Sequence, residues 1–351
     1  MKIDIITIHC MHNPGSVFQA YALQKYLSNK YDTTIIDYRP DYLFTENSYW
    51  KLAFKKIVFR KDYKSRSHKF ESFITREMKL SKCYKSYAEL KNANFDADVY
   101  MTGSDQLWNS DYQCGNDGAY YLDFITNGKK IAYSTSVGKN TIDAYNLQIL
   151  KEKLPSFSAI SVREKSTSEF LSFELGKAIE WVCDPVFLLP VTHYTNFINS
   201  ARFISEPYIV VYLSSGSEIL SNIVEYYRQK GLKIILAGGF TKRCYCDLHI
   251  KDVGPEDFLN LIYKAELVVS SSFHATAFCH LSHKDFITLI PSKNGERIIN
   301  LLDVSGLRNR GIQDDFEPCK VSLSIDWQDV DEKLNQYIIA SKKFLDIALE
   351  E

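Results

Sequence analysis

The chain has 351 residues, of which 45% are apolar and 24% charged, with a formal net charge of −1. That length calls for two ordinary cores, and the balance is that of a folded globular protein. The near-zero charge excludes a general affinity for nucleic acid, and no run approaches the roughly 20 apolar residues of a membrane span.

Lys2–Ile8 predicts a buried parallel strand, so the N-terminus reads as a strand and not as a signal peptide. A turn at Asn13-Pro14-Gly15-Ser16 leads into a helix on which Val17, Ala20, Tyr21, Leu23, Gln24 and Leu27 recur with helical period. Thr33–Tyr38 predicts the next strand. Strand, helix and strand in this order build a doubly wound sheet. Residues 41–92 are aromatic, basic and helical in pattern. Strands resume at Asp98–Thr102, Lys130–Ser134, Ala159–Arg163 and Glu180–Cys183, and Val191–Tyr194 reads as a linker.

The second half restarts with a strand at Tyr208–Leu213, a helix over 217–230 and a strand at Lys233–Ala237. A helix over 255–264, a strand at Glu266–Ser270, a helix over 275–283, a strand at Phe286–Ile290 and a helix over 296–304 follow. One more helix spans 328–349. The expected organisation is an N-terminal Rossmann-like domain over 1–190 with a basic helical insertion at 41–92. A C-terminal Rossmann-like domain covers 191–320, and a helix over 321–351 packs back across the domains. That order suggests an α/β protein with two Rossmann-like domains in a GT-B-like arrangement. None of the eight cysteines forms a CxxC pair. Cys10 lies between His9 and His12, and Cys244 is two residues from Cys246. Zinc needs about four ligands at suitable spacing, so these read as reduced thiols in an intracellular protein, and no metal is expected.

The polar residues gather where strands should end, and open α/β sheets bind ligands there. Asn13, Gly15 and Gln19 surround a turn whose free N–H groups suit sugar hydroxyls or an anion, although a capped turn would look the same. Ser104, Asp105 and Trp108 follow the strand at Asp98–Thr102, with Trp108 available to stack on a sugar. Ser136 marks another hydroxyl-rich strand end. Arg163 ends a strand, where its guanidinium would clamp a carboxylate or phosphate bidentately or else pair with Glu164 at the surface. Asp184, in Asp184-Pro185, is a candidate carboxylate or an ordinary turn residue. An apolar strand then runs into Ser270-Ser271-Ser272-Phe273-His274. Hydroxyls, helix-start N–H groups and an imidazole converge there, and an imidazole can move protons near neutral pH. The alternative is a histidine serving as helix cap. Arg297 starts a later helix, as a second cation or a solvated surface residue.

Asn13-Pro14-Gly15-Ser16-Val17-Phe18-Gln19-Ala20-Tyr21-Ala22-Leu23, Ile36-Asp37-Tyr38-Arg39-Pro40, Gly103–Asn109, Ser161–Ser166, Asp184-Pro185 and Ser272-Phe273-His274 occur in this order. Together, over about residues 1–310, they resemble the motifs of the polysaccharide pyruvyl transferase family. The resemblance implies transfer of pyruvate from phosphoenolpyruvate to a sugar of a glycan or lipid-linked oligosaccharide, as a ketal, on a GT-B-like fold. Phosphoenolpyruvate is the donor substrate, and no cofactor is expected. The family's key Arg and His match Arg163 and His274, and with Asp105 or Asp184 as base these make up the candidate catalytic residues. Arg163, Ser271, Ser272, His274 and Arg297 would bind the donor. Asn13, Gly15, Gln19, Ser104, Trp108 and Ser136 would bind the acceptor. Some members carry Arg-Leu-His where this chain has Ser272-Phe273-His274, and Arg297 is expected to supply the missing cation. A glycosyltransferase using a nucleotide sugar and a non-catalytic glycan-binding or assembly protein are the rival readings.

Between Lys51 and Leu90 there are twelve Lys or Arg against four Asp or Glu. Trp50, Phe54, Ile57 and Val58 are at helical spacing, flanked by Lys55, Lys56, Arg60 and Lys61. Such a stripe belongs at the headgroup level of an anionic bilayer or against the first domain. The corresponding expectation is a cytoplasmic protein with a peripheral contact at the inner face of the membrane.

Overall fold

The computed structural model describes residues 1–44, 58–139, 141–199, 203–213, 217–313, 316, 321 and 324–350. The chain divides into two compact units. One comprises Met1–Tyr49, Glu71–Leu189 and Asn335–Glu351, and the other Trp50–Phe70 and Pro190–Leu334.

The first unit is built on strands β1 (Lys2–Ile6), β2 (Asp32–Tyr38), β3 (Leu80–Tyr84), β4 (Val99–Thr102), β5 (Lys129–Thr135), β6 (Ala159–Val162) and β7 (Glu180–Trp181). All are parallel, in the order β3-β2-β1-β4-β5-β6-β7. Its helices are α1 (Pro14–Ser28), the end of α2 (Arg60–Glu77), α3 (Tyr87–Lys91), α4 (Ala144–Lys153) and α5 (Lys165–Leu175). Parallel strands covered on both faces must be apolar throughout, and Ile3, Ile5, Ile6, Ile35, Ile36, Ile131 and Val162 are fully buried.

The second unit repeats the scheme with α6 (Thr192–Thr195), β8 (Tyr208–Tyr212), α7 (Glu218–Gln229), β9 (Lys233–Ala237), β10 (Leu248–Ile250), α8 (Pro255–Lys264), β11 (Leu267–Ser270), α9 (Phe273–Leu281), β12 (Phe286–Leu289), α10 (Glu296–Val304) and β13 (Gly311–Ile312). Its parallel order is β10-β9-β8-β11-β12-β13. Helix α7 shows why such segments fold as they do. Ser217 caps it by accepting from Leu220 N, and Leu220, Ile223, Val224 and Tyr227 form one buried stripe. The chain closes with α11 (Trp327–Glu350).

The expectation for residues 41–92 changes. Residues 41–92 are not one helical element: Leu80–Tyr84 is an edge strand that extends β2, and Trp50–Phe70 groups with the second unit. Within that unit Lys69 pairs with Asp252 at 2.8 Å and Asp257 at 2.9 Å, and Phe59 stacks on Phe240. Part of the basic surface is therefore neutralised by carboxylates. Trp50, Phe54, Lys55, Lys56 and Ile57 lie outside the described residues, while Val58, Arg60 and Lys61 are exposed. The residues of the last helix divide between the two units at Leu334 and Asn335. Among the described residues no helix is long and apolar enough to cross a membrane.

Candidate functional site

In each sheet the strand order reverses beside the first strand, between β1 and β4 in one unit and between β8 and β11 in the other. Loops leaving neighbouring strands part at such a switch point and open a crevice. The chain brings its polar strand ends to both.

At the first switch point the ends of β1 and β4 lie close together, and a Cβ on Gly103 would meet Thr7 Cβ at 3.0 Å. Asp105 follows with φ 95°, a conformation rare outside glycine. Its carbonyl accepts from Leu107 N at 2.8 Å and Ser136 N at 2.9 Å, and its carboxylate accepts from Gln106 N at 2.8 Å and Ser16 Oγ at 2.6 Å. These bonds hold the strained residue in place, with its side chain still 16% exposed.

Arg163 lies beneath it. Its side chain and that of Asp184 are 2% and 0% exposed, and Nη1 donates to Asp184 Oδ2. Asp105 Oδ1 lies 3.8 Å from Nη2. Burial works against the guanidinium charge, yet Asp184, Asp105 and Glu164 hold its pKa above the ordinary value. The surface pairing with Glu164 is not what forms. Glu164 is buried and accepts from Ser136 Oγ and from Gly138 N. Asp184 also accepts from Ser104 Oγ at 3.3 Å and Val186 N at 3.1 Å, so its carboxylate is committed on both oxygens.

Several expected acceptor contacts are instead structural. Trp108 is fully buried, stacks on Tyr121 at 5.9 Å and donates to Tyr120 O at 3.2 Å, so it offers no face to a sugar. Gln19 is fully buried, and Nε2 donates to Thr7 Oγ1, Ile8 O and Ser16 O, tying the β1 loop to α1. Ser104 and Ser136 are buried against carboxylates, and Gly15 N donates to Asn13 Oδ1 at 2.9 Å in the α1 cap. Of that group only Asn13 is exposed.

The sequence reading passed over the neighbouring charge chain. His9 Nε2 lies 2.9 Å from Asp37 Oδ1, Arg39 Nε donates to the same oxygen at 2.6 Å, and Arg39 Nη1 reaches Glu71 at 2.9 Å. Burial pushes Asp37 up, but His9 and Arg39 together hold it below the usual carboxylate range. The Asp37-Tyr38-Arg39 motif carried the signal. His9 thus pairs with a carboxylate, and among the described residues no cluster of His, Cys, Asp or Glu could hold a metal ion.

At the second switch point β11 ends in Ser270, whose Oγ donates to Tyr212 O at 2.6 Å and accepts from Ser272 N at 2.9 Å. Ser272 caps α9 by accepting from Ala275 N at 3.4 Å. The cap is therefore Ser272, and His274 sits in the first turn, 8% exposed. Ser271 is half-buried beside it. Arg297, at the start of α10, lays its guanidinium 5.8 Å from the centre of the Phe273 ring. Sequence positions 24 apart thus meet at one helix start, where the dipole and a cation both favour an anion.

The described geometry has relatives. The UDP-N-acetylglucosamine 2-epimerase of Rickettsia bellii matches with TM-score 0.57 and 10% identity over 100% of this chain and 96% of that one. A second UDP-N-acetylglucosamine 2-epimerase structure reaches 0.53 at 11% identity, over 99% and 95%. Likeness at this identity shows the fold, two Rossmann-like α/β domains of the GT-B-like class. No curated protein matches the chain. A family model described as polysaccharide pyruvyl transferase matches residues 13–293, from the α1 cap through both switch points, and the chain belongs to that family.

Proposed function

We propose that the protein transfers pyruvate from phosphoenolpyruvate to two hydroxyls of one sugar, forming a ketal and releasing inorganic phosphate. The observation that carries this reading is His274, in the motif Ser272-Phe273-His274, in the first turn of α9 at a switch point. Belonging to this family makes a glycan the acceptor class.

The donor carries a carboxylate and a phosphate. The start of α9, with Ser271 and the nearby Arg297, suits one of these anions. His274 gives a proton to the donor's methylene carbon, which becomes a methyl group, and C2 becomes electrophilic. A sugar hydroxyl adds to C2, phosphate leaves, and a second hydroxyl closes the ring. Two hydroxyl protons are lost: one balances the proton taken up by carbon and one leaves with phosphate. Of the two carboxylates that the sequence offers as base, Asp105 keeps partial exposure and Asp184 is buried. Arg163 and Asp184 are better assigned to positioning, since each is buried and holds the other. The reading also places the protein in the cytoplasm, with access to lipid-linked acceptors at the inner face of the membrane.

Purified protein incubated with phosphoenolpyruvate and glycan acceptors should yield acceptor bearing the mass of one pyruvate, with equimolar inorganic phosphate. Release of a nucleoside diphosphate from a nucleotide sugar would instead establish a glycosyltransferase. Binding of acceptor without turnover would establish a glycan-binding protein.

A further inference from the structure

The first unit contains a second concavity that takes no part in the chemistry above. It has a volume of about 830 Å³ and lies along the crossover from β4 to β5, bounded by the end of β2, the start of α3 and one face of α4. That volume falls within the roughly 300–1,000 Å³ of small-molecule sites. Asp105 lies near the start of this crossover, and Asp117 lines the cavity about midway along it.

Two features of the lining suit a sugar. Aromatic rings with accessible surface come from three separate places, Tyr42, Tyr87 and Tyr145. Tyr145 is 61% exposed, and its hydroxyl donates to Asn116 Oδ1 at 2.9 Å, while Asn116 Nδ2 donates to Ser110 O and Tyr112 O. The exposed ring is therefore held as a platform. An aromatic face takes the C–H side of a pyranose, as it takes other apolar surfaces. The other feature is Asp117. Tyr38 OH and Tyr42 OH each donate to its Oδ2 at 2.7 Å, and Ala119 N donates to Oδ1 at 2.9 Å. A carboxylate accepts about four hydrogen bonds, so this oriented group retains capacity for a ligand hydroxyl.

The charges select against anions. Asp41, Asp117, Asp123 and Glu152 line the cavity with only Lys85 and Lys153. Lys153 is already engaged by Asp123 at 3.1 Å and Glu152 at 2.7 Å. A phosphate, nucleotide or sulfated chain would face uncompensated carboxylates.

We propose that this cavity binds a neutral oligosaccharide, the stretch of the acceptor glycan remote from the sugar that receives pyruvate. The proposal rests on the glycan-acceptor reading above. It makes the protein a reader of chain length as well as of the terminal sugar.

The test is calorimetric titration of the full chain, without donor, using neutral tetrasaccharides of galactose, mannose, glucose and N-acetylglucosamine, with a sulfated tetrasaccharide as control. At least one neutral probe should bind, and Tyr145→Ala should weaken it about tenfold, the scale of one lost contact. Asp117→Asn should do the same. Because Asp117 also caps a turn, the exposed Tyr145 gives the deciding variant. With the binding sugar as acceptor, Tyr145→Ala should raise KM about tenfold for a long chain and leave kcat unchanged, with no effect on a monosaccharide. Absence of binding by every neutral probe overturns the proposal, as does binding indifferent to Tyr145→Ala or stronger for the sulfated probe. Tyr145-dependent binding without any pyruvate transfer strikes the pyruvyl reading and upholds the cavity as a neutral-oligosaccharide site.

Discussion

Replacing Asp184 with Asn tests whether this carboxylate balances a buried charge or takes a proton from substrate. The Arg163 and Asp184 side chains are 2% and 0% exposed, so water cannot take over when the pair is broken. Removing one partner of a buried ion pair costs about 3–5 kcal/mol. Asp105, at 3.8 Å from Nη2, remains as a second carboxylate, and Asn keeps an oxygen for Val186 N. The cost should therefore fall near the lower end, about 3 kcal/mol. For a unit of this size that is a fall of about 6–12 °C in Tm. Thermal denaturation followed by circular dichroism reads the shift, and turnover is measured well below the new Tm. An Arg163→Met, Asp184→Asn double variant should lose less than the sum of the single losses, because the two groups interact directly. A Tm within about 1 °C of wild type, where about 2–4 °C is expected per kcal/mol, would refute the charge-balance argument. Lost turnover at unchanged Tm would make Asp184 the base.

His274→Ala should lower turnover about 10²–10⁴-fold while the melting curve stays put, and near-normal turnover would remove His274 from the mechanism. Arg163→Lys should not be conservative, because an ammonium cannot span Asp184 and Asp105 as the planar fork does. Unchanged Tm and unchanged kcat in that variant would reduce the site to a point charge. If Arg297 supplies the cation absent at Ser272, then Arg297→Ala should raise the KM for phosphoenolpyruvate and Ser272→Arg in that background should partly restore it. Arg297→Ala with unchanged kinetics would end that idea. Burial holds His280 at about 4, with a hydrogen bond to Thr276 O opposing the shift. The unfolded chain therefore binds the extra proton first. Stability is full above about pH 6.5 and declines by up to about 3 kcal/mol as pH falls to about 4. Denaturant melts across this range should show the limb in wild type and lose it in His280→Gln.

Much of the fold is legible in local sequence. A fully buried parallel strand must be an apolar run, so β1, β8, β9 and β11 are recognisable from composition alone. Helix α7 and helix α8 announce themselves by periodicity and by Ser217 and Pro255 at their starts. Leu80–Tyr84 carries neither signal. It is a half-exposed edge strand of sequence Leu-Ser-Lys-Cys-Tyr, and only pairing with β2 makes it a strand.

The site divides along the same line. Sequence placed Asp105, Arg163, Asp184 and His274 at strand ends, because the alternation of strand and helix fixes which chain segments reach that edge. It set Trp108 and Gln19 at the acceptor site, because local pattern does not distinguish a polar or aromatic side chain that turns to the crevice from one that turns to the core. Tertiary packing sent Trp108 onto Tyr121 and Gln19 into its own loop. The partners of Arg163 were likewise beyond local pattern. Glu164 is adjacent in sequence, but the parallel register carries Asp184 to the guanidinium and turns Glu164 toward Ser136. Sequence determines which residues arrive at the carboxyl edges of the sheets. The tertiary structure decides which are exposed and which pair, because burial and pairing depend on segments tens of residues away.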